Sequence, residues 1–186
     1  KYIFEKLARI PVEVDLASEF RYRDPILPEN TLVVIVSQSG ETADTLAALR
    51  LAKEKGVRTL GIVNVVGSSI AREADNVMYT WAGPEIAVAT TKAYSTQLIA
   101  QYLLAMKFAK VRGTVSQNDF DAMIQSLERL PEQISLLLSH KENVQRFACG
   151  RARLFHRTRY RLCNLDGGLP EAERDFLHPF RGVCSR

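Results

Sequence analysis

The chain has 186 residues, of which 46% are hydrophobic and 25% charged, a composition typical of one globular domain with part of a second. Its longest apolar stretch, Leu98–Met106, contains Gln101 and Tyr102 and is far shorter than the roughly 20 residues that a membrane-spanning helix needs. Lys1–Pro11 contains several charged residues, which excludes a secretory signal peptide. We therefore expect a soluble, cytoplasmic protein that does not bind membranes and whose N-terminus has been cut, since no methionine begins it.

The formal net charge of +4 is confined to one end of the chain. Residues 1–148 contain as many acidic as basic residues, so the whole excess lies in 149–186, and no nucleic-acid partner is expected. The same tail holds all three cysteines, Cys149, Cys163 and Cys184. Their number and spacing fit neither a zinc site nor a set of disulfides, so no metal or other cofactor is predicted.

The N-terminal segment predicts short elements. Tyr2–Arg9 has the pattern of the end of a helix that Pro11 stops, Val12–Asp15 that of a short strand, and Ala17–Tyr22 that of a helical turn. The next region alternates strands and helices. Its predicted elements are strand Thr31–Ser37, helix Ala43–Lys55, strand Arg58–Asn64, helix Ala71–Ala74 and strand Asn76–Thr80. Because Thr31–Ser37 is a β-branched apolar run without alternation, it indicates a strand buried on both faces of a parallel sheet.

Two long helices are predicted after the sheet. Ile86–Val111 is rich in alanine and leucine and is followed by Gly113, a residue typical of helix ends. Asp119–Leu138 is expected to be helical, bent at Pro131 and capped by Ser116 or Asn118.

The loop after the first strand is the most informative feature of the sequence. Ser37-Gln38-Ser39-Gly40-Glu41-Thr42 lies at the carboxyl end of a buried strand and begins a helix, which is where open α/β sheets bind ligands. A helix N-terminus, three hydroxyl groups and a glycine suit a phosphate dianion, whereas the missing lysine excludes a Walker nucleotide loop. The alternative is a serine-rich helix cap that binds nothing.

Three ordered motifs identify the chain as similar to a known family. Ser37–Thr45, Asn64–Asp75 and Ala82–Tyr94 closely resemble the first sugar-isomerase (SIS) half of the isomerase domain of the glucosamine-6-phosphate synthase family. The upstream segment Lys6–Arg23 extends the resemblance to about residues 1–148. It implies an α/β fold of the flavodoxin-like SIS type, with three layers and a parallel sheet.

The resemblance also implies a site for fructose 6-phosphate or glucosamine 6-phosphate. Ser37, Gln38, Ser39, Gly40 and Thr42 would hold the phosphate, and Val88 and Thr90 would line the sugar. At position 90 the family usually has serine, so the threonine keeps the hydroxyl and adds a methyl group.

The family's activity is the synthesis of glucosamine 6-phosphate from fructose 6-phosphate and glutamine. The resemblance implies a homodimeric parent chain that also carries a glutaminase domain and a second SIS domain. No residue here matches the family's general base, so no catalytic residue is assigned and this chain alone is expected to be inactive. A stand-alone sugar-phosphate sensor and a small phosphosugar isomerase are the alternative functions.

The tail does not resemble the family as it stands. Back-translated and read with one base removed at the His156 codon, it gives Leu-Phe-Ile-Gly-Arg-Gly-Ile-Asp-Tyr-Ala and later Leu-Lys-Leu-Lys-Glu, which resemble the second SIS half in order and spacing. We therefore interpret residues 1–148 as an N-terminally incomplete first SIS domain. Residues 149–186 are interpreted as a frameshifted remnant of the linker to the second SIS domain, without helical or alternating periodicity and without stable structure.

Overall fold

The computed structural model describes residues 1–86 and 90–140 and two strands in the tail, Arg153–Arg157 and Arg159–Cys163. The chain divides into two compact units, Lys1–Leu127 and Glu128–Arg186. The candidate site lies in the first of them.

The first unit is built on a parallel sheet of three strands. Strands β1 (Leu32–Ser37), β2 (Arg58–Val63) and β3 (Asn76–Tyr79) lie side by side in that order. Ser37 pairs with Val63, and Val63 with Tyr79, so the three strands end at one edge. The predicted α/β fold with a parallel sheet is confirmed.

Helices connect and flank these strands. A π-helical turn, Phe4–Ala8, precedes α1 (Ala17–Phe20), and α2 (Ala43–Glu54) and α3 (Ser69–Glu73) follow β1 and β2. After the sheet come α4 (Lys92–Arg112) and α5 (Gln117–Glu128). Gly113 ends α4 at φ 68°, and Ser116 Oγ accepts the Asp119 N–H at 3.1 Å, so both of these predicted helix signals are confirmed.

The main core lies between one face of the sheet and helices α2 and α3. Ile35 and Val63 point to this face and pack with Leu49 and Ile70, all at most 6% exposed. Successive strand residues face opposite sides, so the fully buried Ile62 belongs to the other face, where α4 packs against β2. The sheet thus lies between two helical layers, as predicted. The prediction that β1 is buried on both faces is wrong, because Leu32, Val34 and Val36, which face away from the main core, are 36–37% exposed.

One predicted strand and the start of one predicted helix are wrong. Val12–Asp15 is not a strand. Its acidic side chains instead bind Arg23, whose Nη2 lies 2.9 Å from Glu13 and whose Nε lies 2.5 Å from Asp15. The long helix begins at Lys92 rather than at Ile86, because Thr90 has a φ of 52°, which no right-handed helix accommodates.

The second unit contains α6 (Leu130–Ser139), with Pro131 in its first turn. The predicted helix Asp119–Leu138 is therefore two helices, because proline is tolerated in a first turn but not within a helix. Strands β4 (Arg153–Arg157) and β5 (Arg159–Cys163) form an antiparallel pair where no regular structure was expected. The alternation of arginine with Tyr160 and Leu162 is the strand signal that was missed. The rest of the tail, and with it the expectation that it lacks structure, lies outside the described residues.

Within the described part of the chain, no helix combines the length and the apolar character needed to cross a membrane.

Asp75 fastens the start of β3 to β2. Its Oδ2 accepts the N–H and the Oγ1–H of the fully buried Thr59 at 2.9 and 2.8 Å, and its own N–H donates to Thr59 Oγ1 at 3.0 Å. Lys53 Nζ lies 3.1 Å from the other carboxylate oxygen. These hydrogen bonds from Thr59, with the contact to Lys53, lower the pKa of Asp75.

We predict that Asp75→Ala lowers Tm by several degrees. Asp75→Asn should lower Tm less, because the asparagine keeps the hydrogen bonds with Thr59. The lowered folded-state pKa means that the stabilisation by the charge is complete above the unfolded pKa of about 3.9 and is lost as pH falls through the folded value. The difference in Tm between wild type and Asp75→Asn should therefore shrink below about pH 4 in thermal unfolding. A difference that stays constant down to about pH 2 would contradict this assignment.

Candidate functional site

The candidate site lies at the edge where the three parallel strands end. Loop 1 (residues 38–42) follows β1 and loop 2 (64–68) follows β2. Loop 3 follows β3 and is described at residues 80–86 and 90–91. Because β1 and β2 are adjacent and parallel, loops 1 and 2 begin side by side, and the Asn64 N–H donates to the Gln38 carbonyl at 3.1 Å.

The hydroxyl groups of Ser37 and Ser39 accept hydrogen bonds from the backbone of their own loop. Ser37 Oγ, which is buried, accepts the Gly40 N–H at 3.1 Å, and Ser39 Oγ accepts the Glu41 N–H at 3.2 Å. Thr42 Oγ1 lies 3.5 Å from Ser37 Oγ. A hydroxyl that accepts in this way keeps its hydrogen available for donation to an anion.

The N-terminus of α2 has no side-chain cap. Thr42 is its N-cap residue, with φ −66° and ψ 123°, but the threonine hydroxyl makes no capping hydrogen bond. The first backbone N–H groups of this 12-residue helix therefore lie at the loop together with the positive end of the helix dipole. This geometry argues against the interpretation that the loop's hydroxyls are present only to cap the helix.

Gly40 brings loop 1 into direct contact with the start of α3. Its φ is 69°, and a Cβ added at this position would lie 2.1 Å from Ser68 Oγ and 2.6 Å from Ser68 Cβ. The Gly40 carbonyl accepts the Ile70 N–H at 3.0 Å. Ser68 is 3% exposed, and its Oγ makes no hydrogen bond in the described part of the chain. A residue with a side chain at position 40 would overlap Ser68, so this position of loop 1 requires glycine.

Asn64 links loop 3 to the end of β2. Its Oδ1 accepts the Ala82 N–H at 2.8 Å and the Thr80 hydroxyl at 3.2 Å, and its Nδ2 donates to the Gly83 carbonyl at 2.8 Å. These bonds on both sides of Trp81 hold that residue at φ 52°, with its ring 5.8 Å from that of Tyr79. Asn64 thus contacts loop 1 through its backbone and loop 3 through its side chain.

The structure brings five of the seven predicted site residues together. Ser37, Gln38, Ser39, Gly40 and Thr42 end β1 or form loop 1. Thr90 lies in loop 3, and Val88 lies outside the described residues. Sequence reasoning did not find that Asn64 links loops 1 and 3, that Ser68 packs against Gly40, or that the Glu41 carboxylate accepts hydrogen bonds from Ser69 of α3. The position of Asn64 directly after a strand is a usable signal.

Metal ligands are not grouped in the part of the chain that the structure describes, where no three His, Cys, Asp or Glu side chains are placed to hold an ion. The expectation that the protein needs neither metal nor cofactor stays a prediction.

The chain belongs to the SIS domain family, whose family model matches residues 1–107. Among its relatives is the glutamine–fructose-6-phosphate aminotransferase (isomerizing) of Caldanaerobacter subterraneus subsp. tengcongensis, which is 61% identical over 148 residues. That match covers 80% of this chain and 24% of the relative. The same enzyme of Methanosarcina mazei is 46% identical over 184 residues, which cover 96% of this chain and 30% of the relative.

A solved structure agrees with these relatives. The C-terminal domain of glucosamine-fructose-6-phosphate aminotransferase from Francisella tularensis superimposes with a TM-score of 0.75 at 38% identity. It covers 79% of this chain and 42% of that structure. The chain therefore spans about a quarter of the length of the curated relatives, and the resemblance inferred from the motifs is confirmed.

We predict that Gly40→Ala destabilises the fold more than Gly56→Ala does. Both glycines have positive φ, 69° and 74°, so each alanine bears the cost of about 1–2 kcal/mol for a left-handed residue. A Cβ at position 56 meets nothing within 4 Å, whereas at position 40 it overlaps Ser68. Urea unfolding should show the larger loss for Gly40→Ala and partial recovery when Ser68→Gly is added. Equal losses at the two positions would contradict the close contact.

Proposed function

We propose that loop 1 binds the phosphate group of fructose 6-phosphate or glucosamine 6-phosphate. The observation that carries the proposal is the combination of hydroxyls on Ser37, Ser39 and Thr42 with the uncapped N-terminus of α2 at the carboxyl edge of a parallel sheet. Neutral hydroxyl and backbone N–H donors at a helix N-terminus can bind a dianion without a lysine or arginine in the loop.

Each residue has a distinct part in the proposed site. Ser37, Ser39 and Thr42 donate their hydroxyl hydrogens, Gln38 offers its amide, and Gly40 allows the backbone to lie close to the phosphate. Thr90, and Val88 two positions before it in sequence, line the sugar. The positive φ of Thr90 supports this assignment, since left-handed β-branched residues are concentrated at functional sites.

We further propose that the parent protein makes glucosamine 6-phosphate from fructose 6-phosphate and glutamine. The proposal is supported by the relatives, which are named glutamine–fructose-6-phosphate aminotransferases (isomerizing). This chain supplies phosphosugar binding, while a glutaminase domain and a second SIS domain of the parent supply ammonia and proton transfer. The inactivity of the chain alone, the homodimer, the absence of nucleic-acid binding and the cytoplasmic location stay predictions.

We predict that Ser39→Ala and Thr42→Ala each weaken binding of fructose 6-phosphate. A hydrogen bond to a charged group contributes about 1.5–3 kcal/mol, so each loss should raise Kd roughly 10- to 100-fold in calorimetric titrations of this chain. Ser126→Ala is the control, because Ser126 Oγ donates to Ala122 O within its own helix, away from loop 1 in sequence. Unchanged binding in both loop variants would refute the phosphate site.

We infer that residues from His156 onward are translated in a shifted reading frame. Support comes from the two strings resembling the second SIS half that one removed base restores. The Methanosarcina mazei relative, however, aligns over 96% of the chain and so over most of the tail. The nucleotide sequence around codons 154–158 decides the matter, and a frame that is continuous in independently sequenced copies of the gene would contradict the inference.

A further inference from the structure

Glu41 presents an electrostatic problem for the proposed phosphate site. It is a carboxylate within loop 1, between Gly40 and Thr42, where a second negative charge would repel a phosphate dianion. No lysine or arginine occurs in this loop to compensate for it. An acidic residue in this place therefore needs a reason.

The structure shows where the carboxylate is directed. Its Oε1 accepts the Ser69 N–H and its Oε2 accepts the Ser69 hydroxyl, both at 2.7 Å. Both oxygens are thus engaged by the first residue of α3. These two bonds lower the pKa of Glu41, which means that they favour its ionised form.

The backbone of Glu41 also contacts Ser39, one of the residues proposed to bind the phosphate. The Glu41 N–H donates to Ser39 Oγ at 3.2 Å, so the position of Glu41 determines how the Ser39 hydroxyl is oriented. Next to it, the Gly40 carbonyl accepts the Ile70 N–H. Two consecutive residues of loop 1 are therefore attached to two consecutive residues of α3.

We propose that Glu41 is a positioning residue, which fastens loop 1 to α3 through Ser69 and thereby holds the Ser39 hydroxyl in the orientation that binds phosphate. This inference rests on the proposed function. Glu41 acts through hydrogen bonds, and its charge is tolerated because α3 takes up both oxygens.

The roles of charge and hydrogen bonding can be separated by two substitutions. In Glu41→Gln the amide oxygen accepts the Ser69 N–H, and the amide nitrogen donates to Ser69 Oγ, so both links remain while the charge is removed. Glu41→Ala removes the links and the charge together. A residue that matters only by repelling phosphate would make both variants bind more tightly.

The experiment measures the Kd of fructose 6-phosphate for the 186-residue chain and its variants, well below each Tm. We expect Glu41→Gln to bind within about 3-fold of wild type or more tightly, and Glu41→Ala to bind at least about 10-fold more weakly. Glu54→Ala, at the exposed far end of α2, is the control and should bind as wild type does. Equal affinities of Glu41→Ala and Glu41→Gln would overturn the proposal.

Amide hydrogen exchange of loop 1 gives a second readout that needs no ligand. Exchange at Gly40 and Glu41 should be faster in Glu41→Ala than in wild type and unchanged in Glu41→Gln. If wild type does not bind fructose 6-phosphate, the proposed function fails, and the exchange rates alone then decide whether Glu41 fastens the loop. Unchanged exchange in Glu41→Ala would refute the fastening itself.

Discussion

The close contact between Gly40 and Ser68 is the constraint on which the candidate site depends. Parallel pairing of β1 with β2 starts loops 1 and 2 side by side, but it does not determine how closely they approach afterwards. The missing side chain at position 40 allows the loop 1 backbone to lie against the buried Ser68. Only at this separation can the Gly40 carbonyl reach the Ile70 N–H and the Glu41 carboxylate reach Ser69. The glycine is therefore required for packing as well as for its positive φ.

In the proposed phosphate site, the attraction for an anion comes from the orientation of neutral donors and not from net charge. The hydroxyls of Ser37 and Ser39 are fixed because each accepts a hydrogen bond from its own loop, and the α2 dipole adds a positive potential that does not depend on any mobile side chain. Fixed donors lose little entropy when a ligand binds. Basic side chains near α2 form ion pairs with acidic residues, for example Arg21 with Asp44 at 2.7 Å.

The sequence predicted the parts of the fold that depend on local pattern. The apolar run of β1, the helical spacing of α2 and the glycine after α4 each reflect forces acting within a few residues, and the structure confirms the strand, the helix and the helix end. The burial of β1 on both faces was predicted wrongly, because burial of the second face depends on what packs there and not on the local pattern. The prediction of a strand at Val12–Asp15 was wrong, because a strand forms only beside another strand and a local pattern does not show whether one is present. The predicted start of α4 was wrong because Thr90 has a positive φ, which the helical pattern of the surrounding residues does not reveal.

The same distinction applies within the site. Loop 1 could be proposed as a site from the sequence because its serines, glycine and helix start are consecutive. Asn64 and Glu41 were not, because their function lies in bonds to residues 16 to 28 positions away. Such links are formed by the pairing of β1, β2 and β3, and no spacing rule along the chain reveals them. Sequence motifs thus identify the groups that would touch a ligand more readily than the groups that hold them in place.

Helix α3 is joined by hydrogen bonds both to loop 1 and to α2. With five residues it is too short to be stable alone, yet it carries the attachment points for loop 1. Its N-terminal residue Ser69 is bound by Glu41, and Glu73 at its other end is held by Arg50 of α2 through two hydrogen bonds of 2.8 and 2.7 Å. Exposed ion pairs contribute little individually to stability. The Arg50–Glu73 pair nevertheless joins α3 to α2, the helix that follows loop 1. Loop 1, α3 and α2 are therefore connected in sequence and in space, so a displacement of α3 would be transmitted to the hydroxyls at the start of α2.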